Sequence, residues 1–222
     1  MLYANLLLNV LYHIEIEMKI RESCLQTGNF IYKPGISLTK QDFHLQRGSL
    51  GLQRGFSGYY LPNDKKLNKL LYKIAKKMLL HRSGTEYEDM YWIDLINGKI
   101  VCKITDSKYK KKILYTTTIK KMIKKSENLL TIHTHPDSFP PSIDDINSNY
   151  DHNYEIGIVI CHDGRVYMYS AEERINVNYY KLTVEDYLKN GYNEDTAQIE
   201  ALKEMQKKFS IYFKEVTEDD CV

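Results

Sequence analysis

The chain has 222 residues, 43% of them hydrophobic and 27% charged, with a net charge of +2. That length holds one large domain, or an ordinary domain with a smaller one, in a composition usual for a soluble globular protein. So nearly balanced a charge gives no argument for a nucleic-acid or membrane partner. The scattered cysteines (Cys24, Cys102, Cys161, Cys221) form no C-x-x-C pair and speak for reduced thiols in a cytoplasmic setting.

In chain order, "MLYANLLLNVLY" (1–12) is apolar but short, interrupted by Asn5 and Asn9, and followed by Glu15 and Glu17. A membrane helix needs about 20 apolar residues, and a signal peptide needs a basic start and a cleavage site. The segment therefore reads as core, with no membrane association expected. "LQRGSLGLQRGF" (45–56) echoes Leu-Gln-Arg-Gly once, too little for a repeat architecture. Residues 1–60 form an N-terminal segment without an assigned role.

"LPNDKKLNKLLYKIAKKMLLHR" (61–82) is the clearest helix, with Asn63 or Asp64 as its cap. Leu67, Leu70, Leu71, Ile74 and Met78 share one face, and Lys66, Lys69, Lys73, Lys76 and Lys77 cover the other. That basic face reads as solvated; lysines without interleaved aromatics are weak support for nucleic acid.

"YEDMYWIDLINGKIVCKI" (87–104) carries Asn97-Gly98 between two strand-like runs and predicts a hairpin with strands near 87–95 and 99–105. The lysine run 108–112 reads as a loop, 116–127 as a short helix and 128–135 as a strand ended by Pro136. A helix begins near Ser142. "YEIGIVICHDGRVYMYS" (154–170) is a second hairpin, turned at Asp163-Gly164. The remainder reads as helical, chiefly 183–190 and 194–214. This order predicts an α/β (α+β) fold, a mixed central β-sheet flanked by helices. The main domain spans 61–175, and 176–222 form a C-terminal helical extension.

The chemistry lies in "TIHTHPDSFPPSIDD" (131–145). Side chains at i and i+2 of a strand share a face, so His133 and His135 point the same way and can grip one metal ion. A catalytic zinc takes three protein ligands and keeps a fourth position for water. Asp145 is the natural third ligand, returned by a short loop holding three prolines, Pro136, Pro140 and Pro141. The same residues spell a helix cap: Ser-x-x-Asp is a capping box, with Ser142 and Asp145 bonded reciprocally. The other histidines (His13, His44, His81, His152, His162) lack ligand spacing, and Cys102 and Cys161 read as small core residues.

"HTHPDSFPPSIDD" resembles the signature of the JAMM (MPN+, JAB domain) metalloproteases: His-x-His-Pro, a loop, then Ser-x-x-Asp. Six residues separate His135 from Ser142, where the common pattern has seven; prokaryotic members vary here. The resemblance covers roughly residues 65–170. It implies an MPN/JAB (cytidine-deaminase-like) core, zinc held by His133, His135 and Asp145, and Ser142 as oxyanion donor. It also requires a glutamate from an earlier strand as general base. Glu86 and Glu88 share strand parity; Glu88, inside "YEDMYWID", is chosen, with Glu86 in reserve. The implied activity is hydrolysis of an amide bond in a protein or peptide, in the family often an isopeptide to a ubiquitin-like modifier. The other readings are a non-catalytic MPN-like scaffold, which would carry no stoichiometric zinc, and a nucleic-acid-associated protein using its lysine-rich segments.

Overall fold

The computed structural model describes residues 65–216. The expectations for the N-terminal segment, and for Asn63 or Asp64 as a cap, fall outside the described residues. The chain runs α1 (Lys65–Arg82), β1 (Met90–Asp94), β2 (Lys99–Ile104), α2 (Thr117–Lys124), β3 (Leu129–His135), α3 (Ile143–Asp151), β4 (Ile156–Cys161), β5 (Val166–Ala171), α4 (Val177–Lys189), α5 (Glu194–Lys208) and β6 (Ile211–Val216). The strands form one six-stranded mixed sheet in the order β2-β1-β3-β4-β5-β6. β3 and β4 are parallel, as a strand–helix–strand crossover through α3 requires, and the other neighbours are antiparallel. No helix among the described residues is long and apolar enough to cross a membrane.

Alternation along the strands divides the core into two faces. On one, Tyr91, Ile93, Leu130, Ile132, Ile158 and Ile160 pack against Leu67, Ile74 and Met78 of α1, with Leu70 and Leu71 at its margin. This is the face that the helical spacing picks out. The opposite face is covered in two parts. Trp92, Cys102 and Ile104 meet Ile119 and Ile123 of α2. Val159, Cys161, Tyr167, Tyr169 and Phe213 meet α3, α4 and α5 through Ile146, Tyr180, Ala201, Leu202 and Met205.

Both expected hairpins form. Asp94 accepts from the Ile96 and Asn97 N–H groups at 2.8 and 2.9 Å, and Gly98 takes the left-handed φ of 58° that the turn needs. β1 starts at Met90 instead of residue 87; Tyr87 instead forms an isolated bridge with Lys110, and residues 88 and 89 belong to no regular strand.

The largest departure is C-terminal. The helix expected over 194–214 ends at Lys208, and Ile211–Val216 is a strand paired with β5. Its alternation explains why: Ile211 and Phe213 enter the core beneath α4 and α5, and Tyr212 and Val216 turn to the α1 face. A helix could not deliver residues 211 and 213 to one face. The helix expected at 183–190 is also longer, beginning at Val177 behind an Asn176 cap that accepts from Asn178 and Tyr179 N–H.

Candidate metal centre

His133 and His135 are the last alternate residues of β3, both buried, on the sheet face away from α1. They stand at the carboxyl end of a strand that pairs in parallel with β4, beside where open α/β sheets commonly leave a crevice. Past His135 the loop 136–141 turns back, and Ser142 caps α3. Ser142 Oγ accepts from Asp145 N–H at 3.2 Å, while Asp145 Oδ2 accepts from Ser142 N–H at 2.8 Å and from Ser142 O–H at 2.7 Å. The capping box and the metal reading thus use the same atoms. The cap fixes Asp145 in the first turn with its carboxylate facing the strand end.

The three side chains converge. His133 Nε2 and His135 Nε2 are 3.1 Å apart. Asp145 Oδ1 lies 3.4 Å from His133 Nε2, and Oδ2 lies 3.4 Å from His135 Nε2. A tetrahedral zinc with bonds near 2.0–2.1 Å spaces its ligand atoms about 3.3 Å apart. The two imidazole nitrogens stand near that spacing, each facing a different oxygen of the Asp145 carboxylate; with one ligand atom from each residue, all three lie within 4.8 Å of one another, and this group can hold a metal ion. His135 Nδ1 is 2.9 Å from the Phe139 carbonyl, so it carries the proton and its Nε2 is left to coordinate.

The electrostatics agree with a cation site. Burial works against the charge of Asp145, but the two imidazoles outweigh it and hold the carboxyl well below its usual range. Burial likewise disfavours protonated His135; Asp145, Glu88 and the Phe139 carbonyl outweigh it and raise its pKa to about 9. Without a metal, the cluster thus retains a proton where a cation fits.

Placement separates the two glutamates. Glu86 is exposed and paired with Lys110, which lowers its pKa. Glu88 is only 7% exposed. β1 sets Met90 opposite His133, and Thr134 N–H donates to Asp89 O at 3.1 Å, so the next pair in register is Glu88 opposite His135. Opposed residues share a sheet face. Burial raises the Glu88 pKa, and its field couples to His133, His135 and Asp145. Parity could not distinguish the pair because both residues have the same parity; what separates them is that the chain turns and bends through 83–86, before it reaches Glu88.

Sequence reasoning missed the residues that hold this arrangement. Asp89, 1% exposed, is bonded by Arg82 Nε at 2.6 Å and lies 2.8 Å from His81 Nδ1, anchoring the residue next to Glu88 to the end of α1. On α3, the buried Asn147 exchanges two bonds with the Ile175 backbone, at 3.0 and 2.8 Å, and Asn149 accepts from Ala171 N–H at 2.9 Å. These asparagines tie the helix carrying Asp145 to the last residue of β5 and to the segment after it. No local pattern marks them, because polar residues two apart on a helix share no face. Cys102 and Cys161 are buried free thiols, as expected for core residues.

No family model, curated protein or solved structure matches the chain.

Proposed function

We propose that the protein is a zinc-dependent peptidase or isopeptidase of the JAMM (MPN+) type, built on an MPN/JAB core. The observation that carries the reading is the convergence of His133, His135 and Asp145, with one ligand atom from each within 4.8 Å of the others, beside a buried glutamate. Bound in this cradle, zinc supplies a water acidified towards a pKa of about 7 and a Lewis acid for the scissile carbonyl.

The chain's own groups perform the remaining steps. Glu88 takes a proton from the attacking water and later delivers it to the leaving amine; its raised pKa improves it as a base near neutrality. Ser142, exposed at the helix start, turns its hydroxyl from Asp145 Oδ2 to the carbonyl oxygen as negative charge develops there. The substrate is a protein or peptide, with an isopeptide to a ubiquitin-like modifier as one form. The reduced thiols favour a cytoplasmic setting. The test is hydrolysis of linear and isopeptide-linked reporter peptides by zinc-loaded protein. Activity abolished by a chelator and restored by zinc supports the reading, and activity indifferent to the chelator refutes it.

A further inference from the structure

The loop between His135 and Ser142 has to do two things. It must present the Phe139 carbonyl to His135 Nδ1, and it must deliver Ser142 and Asp145 to the strand end. It has little means of holding itself. Pro136, Pro140 and Pro141 have no N–H, and the Ser138 N–H reaches only back to His135 O, at 3.3 Å. Ser138 also sits at φ 62°, a left-handed conformation that a residue with a side chain adopts only when its surroundings impose it.

What imposes it is Arg165, which follows the Asp163-Gly164 turn and precedes β5. One guanidinium nitrogen, Nη2, donates to the Ser138 carbonyl at 2.6 Å. Nη1 donates to Asp195 Oδ2 of α5 at 2.7 Å and to the Tyr167 hydroxyl at 2.9 Å, and Nε donates to Asp163 Oδ2 at 2.8 Å. Asp163 N–H in turn donates to Ser138 Oγ at 3.0 Å. Ser138 is thus gripped at its carbonyl and its hydroxyl, and the next carbonyl in the chain, that of Phe139, is the one that faces His135 Nδ1. A planar fork anchored on two carboxylates has little freedom to move.

We propose that Arg165 is a positioning residue for the metal cradle. By clamping Ser138 it fixes the Phe139 carbonyl on His135 Nδ1, and so sets the tautomer and ring orientation that turn Nε2 toward His133 and Asp145. The role in metal binding rests on the zinc reading above; the grip on His135 does not. Outer-shell partners of ligating histidines typically change metal affinity about 10- to 100-fold when removed.

The experiment compares wild type with Arg165→Gln and Asp195→Asn, and with Arg174→Gln, whose exposed ion pair to Asp151 lies elsewhere, as control. Each is followed by thermal melting, by zinc affinity in competition with a chelator, and by the imidazole N–H NMR signals of the metal-free protein. In metal-free wild type a slowly exchanging His135 Nδ1–H signal is expected. It should be lost in Arg165→Gln and kept in Arg174→Gln. Zinc affinity should fall about 10- to 100-fold in Arg165→Gln and less in Asp195→Asn, where the guanidinium keeps Ser138. A folded Arg165→Gln that keeps both the signal and wild-type affinity overturns the proposal; should that variant not fold, zinc affinity unchanged from wild type in folded Asp195→Asn does so. Wild-type protein that binds no zinc, with the His135 signal still dependent on Arg165, refutes the peptidase reading and leaves the clamp standing.

Discussion

Ser142 and Asp145 are bound to each other by three hydrogen bonds that use their side chains, at 2.7, 2.8 and 3.2 Å. The cap that starts α3 therefore also aims the carboxylate of the candidate metal site, so under the proposed mechanism stability and chemistry meet at one serine. Ser142→Ala should retain zinc, because Asp145 keeps the Ser142 backbone N–H. It should lose about 1 kcal/mol of stability, the usual worth of a cap, and about 10²–10³-fold in turnover, as for a missing oxyanion donor. Denaturant melts and peptide hydrolysis, each with zinc content determined, measure the two losses separately.

Glu88 is expected to act without binding the metal. Glu88→Gln keeps size and hydrogen bonding but cannot accept a proton, so zinc should stay at wild-type content while turnover falls about 10²–10⁴-fold. Glu86→Gln should cost nothing, since Glu86 is exposed and occupied with Lys110. Because burial raises the Glu88 pKa, activity at saturating zinc should be lost on acidification at a pH above the ordinary glutamate value of 4.5. A dead Glu86→Gln beside a fully active Glu88→Gln would reverse the assignment.

Metal affinity should depend on pH through His135. Its pKa stands at about 9 in the folded, metal-free protein against an ordinary 6.5. The folded state therefore binds the proton more tightly, and the stability this contributes is complete below pH 6.5 and lost as pH rises through about 9. Zinc must displace that proton, so its affinity should climb about tenfold per pH unit across this window and level off above it. Chelator competition between pH 6 and 10 (assay bounds, set at roughly a unit beyond the titration) reads the slope; a flat profile would count against His135 as a ligand.

How much of this was legible in the sequence depends on how local each feature is. His133, His135, Ser142 and Asp145 could be read because strand alternation and a capping box operate over two or three residues. The α1 face and both hairpins were legible for the same reason. Arg165 was not, since its meaning comes from Ser138 and Asp195, brought together only by the sheet. The strand Ile211–Val216 was hidden because "IYFKEV" follows a long helical pattern, and its alternation gains meaning only beside β5. Asn147 and Asn149 look like surface residues until the segment 171–175 lies against them.

Gly157 tests that packing next to the site. It pairs with Thr131 on one side and Tyr169 on the other, and a Cβ added there would overlap the Tyr169 ring. Tyr169 is buried, so its ring has nowhere to go. Gly157→Ala should destabilise the fold by about 1–3 kcal/mol, as overpacking does, measured by urea unfolding. An unchanged midpoint would show that the ring is free to move.

The central claim is that His133, His135 and Asp145 form one zinc site. Metal analysis of purified protein, with anomalous scattering at the zinc edge to locate the ion, tests it most directly. The account predicts one zinc per chain within bonding distance of all three residues, and none in a folded His133→Ala/His135→Ala double variant. Stoichiometric zinc retained by that variant, or wild-type protein that takes up no zinc, would contradict it.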